Sequence, residues 1–143
     1  MAQVISAPAF VSSLKNKKTM ERVIYDNKPE VLTKVGDGSY RYAWDIQPIT
    51  IEMDDMEPIQ QYTAYEVVVW SPITANRITQ AVINAVWPLD YEQKLVNEYN
   101  ASILGVYSEE VAKGKIEEYK SFLVERSALK AHIDEDCAKL GIK

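Results

Sequence analysis

The residues with the greatest capacity for chemistry lie near the C-terminus, where His132, Asp136 and Cys137 fall within two helical turns. Imidazole, carboxylate and thiolate groups bind zinc, and a thiol with a nearby imidazole can act as a nucleophile with its base. One His and one Cys are too few for any specific zinc spacing, and five residues on a helix turn the two side chains apart. The sequence therefore predicts no metal ion, no cofactor and no catalytic residue. Cys137 is interpreted as a small core residue, and His132 as exposed on a charged helix.

Two further segments carry residue types that bind calcium or phosphate. Asp54, Asp55 and Glu57 lack the alternate-residue spacing and central glycine of a helix–loop–helix calcium site, so they are interpreted as a solvated hairpin tip. Gly36-Asp37-Gly38 is followed by a strand pattern, whereas a phosphate loop opens into a helix N-terminus. We therefore expect this second segment to be a turn between two strands.

The charge distribution bears on the class of partner. The 143-residue chain has a net charge of −5, and residues 42–76 contain acidic side chains but no Lys or Arg. The basic residues that could contact phosphates are few: Lys15, Lys17, Lys18 and Arg22. Because nucleic-acid binding requires a basic stripe, we expect no nucleic-acid partner.

Neither a membrane span nor a secretion signal is expected. The longest apolar stretches, such as Val67–Trp70, are far shorter than the roughly 20 residues that a spanning helix needs. At the N-terminus the Lys cluster follows the apolar residues, which is the reverse of a signal peptide. The single Cys137 excludes an intramolecular disulfide framework.

An α+β fold would position these residues. Alternation with a period of two, broken by turn residues, predicts an N-terminal antiparallel β-meander with strands over 22–25, 31–35, 39–46 and 63–70. A second alternating stretch, 49–53, precedes the loop of a long hairpin at 54–61. Because Val67–Trp70 is apolar at every position, it is expected to be a central strand covered on both faces.

Three helices are predicted after the strands. Thr74 is a candidate N-cap for the first, which Pro88 ends. Asp90 and Gln93 have the spacing of a capping box at the start of the second, and Gly105 is placed to stop it.

The third predicted helix is the longest element of the chain. It begins after the candidate cap Ser108 and extends to Leu140, about 48 Å, with Gly114 as a possible bend or break. The predicted organisation is an N-terminal arm over 1–21, an α+β core over 22–107, and a long C-terminal helix over 108–143. That amphipathic helix is expected to pack on the core or on a partner.

Aromatic residues are concentrated on one predicted strand face. The chain has nine Tyr and three Trp but only two Phe, and Tyr and Trp are favoured where surfaces meet. The pattern is compatible both with a core under the helices and with an interface. The candidate interface residues come from this face and from the third helix: Tyr40, Tyr42, Trp44, Tyr119, Phe122, Leu129 and Ile133.

Three segments carry a family resemblance: YDNKPEVLTKVGDGSYRYAWDIQPI, YEVVVWSPITANRITQAVINAVWPLDYEQKLVNEYNA, and a charged helix containing YKSFLVERSALKAHID. In layout, residues 22–137 resemble small proteins encoded in the tail-gene regions of phages and prophages of gut Bacteroidales. The resemblance implies no catalytic or binding residue.

The resemblance implies a non-enzymatic structural protein, associated with the virion tail, that binds other phage proteins as a homo- or hetero-oligomer. Such a protein would be found in the virion and, during assembly, in the host cytoplasm. The alternative is a tail-fibre assembly chaperone that is not retained in the virion. A third hypothesis is a hydrolase or nuclease built on scattered carboxylates, which would require a concave pocket with clustered carboxylates of perturbed pKa.

Overall fold

A computed structural model of the chain describes residues 2–4 and 20–143. The elements, in chain order, are β1 Ala2–Val4, β2 Val23–Tyr25, β3 Leu32–Gly36, β4 Ser39–Glu52, β5 Ile59–Trp70, α1 Ala75–Val86, α2 Tyr91–Ile103 and α3 Glu109–Leu140. The strands pair antiparallel in one sheet. The predicted α+β class, with a sheet followed by three helices of which the last is long, is confirmed.

A long hairpin of β4 and β5 forms the centre of the sheet. β1 and β3 pair with opposite ends of β4, on the side away from β5. β2 pairs with β5, on the side away from β4. Residues 26–31 therefore carry the chain from one side of the hairpin to the other. The meander consists of β3, β4 and β5, in which each strand pairs with the next in sequence. β2 does not pair with β3 but with β5. Ala2–Val4 of the predicted arm is a strand of this sheet, while Lys15, Lys17 and Lys18 lie outside the described residues.

Both polar segments considered as ion or phosphate sites are turns. Gly38, between β3 and β4, has a φ of 77°, and Asp55, between β4 and β5, has a φ of 63°. Glycine adopts positive φ without steric cost, and Asp tolerates it because its short side chain can bond locally. The two turn predictions are confirmed, and β5 begins at Ile59, slightly earlier than expected.

β4 is one strand interrupted by a bulge, where the sequence pattern indicated two separate stretches. Trp44 pairs with Tyr65 and Gln47 pairs with Thr63, so two residues of β4 lie opposite one residue of β5. Asp45, inside the bulge, has a φ of 53°. A bulge bends a strand and re-aims its side chains. Here it directs Asp45 towards the chain that enters β2.

The hydrophobic core lies between one face of the sheet and the helices. Its buried residues include Tyr42, Trp44, Tyr65, Val69, Ile78, Val82, Val86, Trp87, Leu95, Phe122, Leu129, Ile133 and Cys137. Inside the core, the Tyr42 and Trp44 rings stack 5.9 Å apart. The prediction that the last strand is covered on both faces is wrong, because Val68 and Trp70 are exposed on the opposite face.

The predicted caps of α1 and α3 are confirmed. Thr74 Oγ1 accepts a hydrogen bond from the backbone N–H of Arg77 at 3.1 Å. Ser108 Oγ accepts one from Val111 at 3.4 Å, which starts α3. Gly141, with a φ of 72°, ends this helix in the left-handed conformation that glycine favours.

The predicted capping box of α2 is wrong, although the helix begins where expected. Asp90 makes no side-chain capping hydrogen bond and has φ −92° and ψ 6°. An N-cap side chain reaches the first amides from an extended backbone, which Asp90 does not have. Gln93 instead donates to Asn97 within the helix at 3.1 Å. Gly105 follows the end of α2 with a φ of 78°, as expected of a helix stop.

Gly114 lies inside α3, which continues through it without a break. A Cβ atom added at this position would meet no heavy atom within 4 Å. Gly114→Ala is therefore expected to raise the free energy of unfolding by about 0.5–1 kcal/mol, because alanine loses less backbone entropy in a helix. Urea denaturation followed by circular dichroism measures the change. Gly38→Ala is the control and should destabilise, since its φ is positive; an equal loss in both variants would contradict the prediction.

Candidate functional site

Two of the three residues first considered for chemistry, His132 and Asp136, belong to a polar network between α3 and β4, while Cys137 lies beside it in the hydrophobic core. The Tyr42 hydroxyl donates to Asp136 Oδ2 at 2.6 Å, and His132 Nε2 lies 3.2 Å from the same oxygen. Asp136 is buried, and His132 is half-buried instead of exposed, because it lies against this carboxylate one turn away. The network anchors the C-terminal half of α3 to the centre of the sheet.

The protonation states of this network suit a structural role. Burial raises the pKa of Tyr42 well above its ordinary value, and the hydrogen bond to Asp136 raises it further, so the hydroxyl stays protonated. Burial also raises the pKa of the Cys137 thiol, with the nearby Asp134 and Asp136 carboxylates adding to the effect. A thiol of raised pKa is a weak nucleophile. Within residues 2–4 and 20–143, no three His, Cys, Asp or Glu side chains group closely enough to hold a metal ion.

A second polar network surrounds the bulge of β4. Arg22 Nη1 forms an ion pair with Asp45 Oδ2 at 2.9 Å, and Nη2 donates to the Asp45 backbone carbonyl. Arg22 Nε also donates to Thr63 Oγ1 at 2.8 Å, while the guanidinium lies over the Tyr65 ring, 4.6 Å from its centroid. Gln47 Nε2 donates to the other Asp45 oxygen at 2.9 Å. The network ties the chain entering β2 to the central hairpin.

A cavity of about 320 Å³ lies beside both networks. Its wall includes Lys28 and Trp44 together with Asp45, His132 and Asp136. Trp44 Nε1 is buried and has no hydrogen-bond partner among the described residues. Both carboxylates in the wall are held by the contacts given above. The two carboxylates of the cavity therefore join elements of the fold to one another.

Most of the candidate interface residues are in the core of the chain itself. Those with almost no accessible surface are Tyr42, Trp44, Phe122, Leu129 and Ile133. Tyr40 and Tyr119 are half-buried, and the Tyr119 ring lies 5.2 Å from that of Tyr99 on α2. The five core residues cannot contact a partner in this fold, because the sheet and the helices already cover each other there. Alternation placed the strand aromatics on one face correctly but did not show what covers it.

The opposite face of the sheet carries a surface that the sequence analysis did not identify. Val68 and Trp70 are 53% and 61% exposed on β5. Beside them, the Tyr25 hydroxyl donates to the Glu66 carboxylate, and Arg41 Nε lies 3.4 Å from the same group. Burial and the hydrogen bond to Glu66 raise the pKa of Tyr25 to about 12. This face therefore combines a polar cluster around Glu66 with exposed apolar side chains.

A second exposed apolar surface lies at the turn between α2 and α3. Leu104 and Val106 are 78% and 70% exposed, and Ile103 and Val111 beside them are also exposed. We call these four residues the helical tip. An open groove next to it is lined by residues of both helices and of the turn between them, including Tyr107 of the turn and Ile116 of α3. The signal in the sequence was the pair of apolar residues flanking Gly105, which had been considered only as a helix stop.

Contacts between the two helices hold the helical tip in place. Glu98 on α2 lies 2.5 Å from Lys115 on α3 and 3.2 Å from Lys94. The Lys115 ammonium lowers the pKa of Glu98, and the Glu98 carboxylate raises that of Lys115. The tip is therefore the end of a braced helical hairpin.

None of the helices in the described part of the chain is long and apolar enough to cross a membrane. Comparison of the chain with protein-family models, with curated proteins and with solved structures finds no match in any of the three.

Proposed function

We propose that the protein is a non-enzymatic structural protein of a phage tail, acting through contacts with other phage proteins. The resemblance in layout to tail-region proteins of phages and prophages of gut Bacteroidales motivates the class of particle. The observation that carries the proposal is the helical tip, where Leu104 and Val106 are largely exposed at the end of a braced hairpin. Contiguous exposed apolar side chains on a soluble surface mark interaction sites.

The polar networks support the same proposal. The carboxylates beside the cavity, Asp45 and Asp136, are bound by Arg22 and Tyr42. Such contacts make a rigid support for a surface that binds elsewhere.

Mass spectrometry of purified particles from a phage that encodes the chain tests this function. We expect the protein in the particles at a fixed ratio to the tail proteins. Presence in the infected cell together with absence from the particles would overturn the structural assignment. That second result would support the alternative, a tail-fibre assembly chaperone that is not retained in the virion.

The helical tip gives a residue-level prediction. Val106→Asp is expected to reduce incorporation into particles by about tenfold or more, the effect of losing roughly 1.4 kcal/mol of binding free energy. Quantitative mass spectrometry of particles assembled with the variant measures the loss. Val124→Asp is the matched control, because Val124 is an exposed valine on α3 away from the tip. Equal incorporation of the two variants would show that the tip is not the contact.

A further inference from the structure

Among the described residues, the β5 edge of the central hairpin has a neighbouring strand at only three of its 12 positions. β5 comprises 12 residues, yet β2 pairs only with Tyr62, Thr63 and Ala64. Among the described residues, no strand pairs with Tyr65–Trp70 on the side away from β4. We call these six residues the open edge.

The described residues just before β2, 20–22, do not extend the pairing. Arg22 places its guanidinium over the Tyr65 ring and binds Asp45, and Met20 packs against the hydrophobic core. These contacts tie residues 20–22 to the bulge of β4 and to the core.

The backbone groups directed at the open edge can be identified. The Ser71 N–H donates to the Gly38 carbonyl at 2.7 Å, so the backbone groups of Ser71 point towards the β4 side. In an antiparallel ladder, alternate residues bond to the same neighbour. The N–H and C=O groups of Glu66, Val68 and Trp70 therefore point to the open edge. No backbone hydrogen bond from a described residue outside the ladders reaches them.

The open edge lacks the usual protection against strand pairing. Natural edge strands are commonly blunted by Lys, by Pro or by a bulge. The segment Tyr-Glu-Val-Val-Val-Trp has one charged residue, Glu66, and that carboxylate is bound by Tyr25 and Arg41. Val68 and Trp70 are exposed beside these backbone groups, which no described residue outside the ladder with β4 contacts by a backbone hydrogen bond. The edge is therefore suited to accept another strand.

We propose that the open edge pairs with the open edge of a second copy of this chain, antiparallel about a two-fold axis at Val68. The segment is self-complementary in this register: Val68 lies opposite Val68 of the second copy, Val67 opposite Val69, and Glu66 opposite Trp70. The three residues pointing to the edge would exchange roughly six backbone hydrogen bonds. The two central sheets would become one continuous sheet.

Charge and exposure favour a second copy as the occupant. The two Glu66 side chains would be four residues apart along the strands, about 13 Å, which exceeds the Debye length at physiological salt. Val68 and Trp70 of both copies would lie on one face and cover each other's apolar surface. This dimer is independent of the phage assignment, because it follows from the edge alone.

A charge-reversal experiment tests the proposal and its register. Because Val68 would face itself, Val68→Lys places two like charges directly opposite each other, and so does Val68→Glu. Light scattering coupled to size exclusion should show a wild-type dimer, and each variant alone should be monomeric with an unchanged circular dichroism spectrum. An equimolar mixture of the two variants should again form a dimer, since Lys then lies opposite Glu.

Val35→Lys is the control, since Val35 is an exposed valine on β3 at the other side of the sheet, and this variant should remain dimeric. A monomeric wild type at the highest attainable concentration would overturn the proposal. A dimer that persists in Val68→Lys, or a mixture of Val68→Lys and Val68→Glu that stays monomeric, would also overturn it. Wild-type protein that is monomeric but binds an extended peptide at this edge would assign the edge to a foreign strand.

Discussion

Arg22→Met is expected to lower the free energy of unfolding by about 3–5 kcal/mol, because it leaves the buried carboxylate of Asp45 without its cation. The side chains of Arg22 and Asp45 are only 11% and 6% exposed. The substitution also removes the hydrogen bond to Thr63 and the stacking on Tyr65. Methionine retains much of the apolar stem, so the loss reports the charge and its hydrogen bonds. Urea denaturation followed by tryptophan fluorescence measures it.

The double variant Arg22→Met/Asp45→Asn separates the ion pair from the packing. Asparagine tolerates the positive φ of Asp45 and removes the unpaired charge, so the double variant should be more stable than Arg22→Met alone. If the loss of unfolding free energy in the double variant equals the sum of the losses in Arg22→Met and Asp45→Asn, the two residues are not coupled and the prediction is contradicted. Because Arg22 ties the chain that enters β2 to the central hairpin, Arg22→Met is also expected to weaken the pairing of β2 with β5.

Phe122→Ala is expected to destabilise by a similar amount, about 3–5 kcal/mol, through lost burial and a cavity. Phe122 has no accessible surface and lies where the three helices meet. Its ring makes edge-on contacts with Trp87 at 5.1 Å and with Tyr91 at 5.6 Å. Edge-to-face pairs contribute beyond the buried area alone. The free energy of unfolding from urea titration measures the effect.

Leu123→Ala is the control for Phe122→Ala. Leu123 is the next residue of α3 and is exposed, so its removal should cost less than about 1 kcal/mol. Equal losses of unfolding free energy in Phe122→Ala and Leu123→Ala would show that the contact between the helices contributes little to stability. A larger loss at Phe122 should also weaken the proposed incorporation into particles, because the α2–α3 hairpin carries the helical tip.

Local patterns predicted most elements because local residues determine them. The alternation of Tyr40, Tyr42 and Trp44 produces a strand face, and Thr74 and Ser108 supply side-chain oxygens to adjacent amides. The capping box at Asp90 failed for an equally local reason, since its backbone conformation does not direct the carboxylate to the amides. Spacing alone does not encode that conformation.

The surfaces could not be predicted in the same way. Whether Tyr42 and Trp44 form core or interface depends on α1 and α3, which come much later in the chain. The open edge exists because β2, which comes earlier in the chain, pairs with only three residues of β5. By its composition the apolar run Val67–Trp70 indicates burial on both faces of the sheet. One face remains exposed, because the three helices that follow β5 cover only the opposite face.

The sequence by itself determined the α+β class, the order of the elements after residue 22, the two turns and most helix ends, because periodicity and turn chemistry act between near neighbours. Only the tertiary structure decided where the chemistry-bearing residues lie: His132 and Asp136 against Tyr42, and Asp45 against Arg22. It also decided which apolar residues stay exposed, at the helical tip and at the open edge. The physical reason is that burial is a property of pairs of distant segments, and no window of adjacent residues contains both partners.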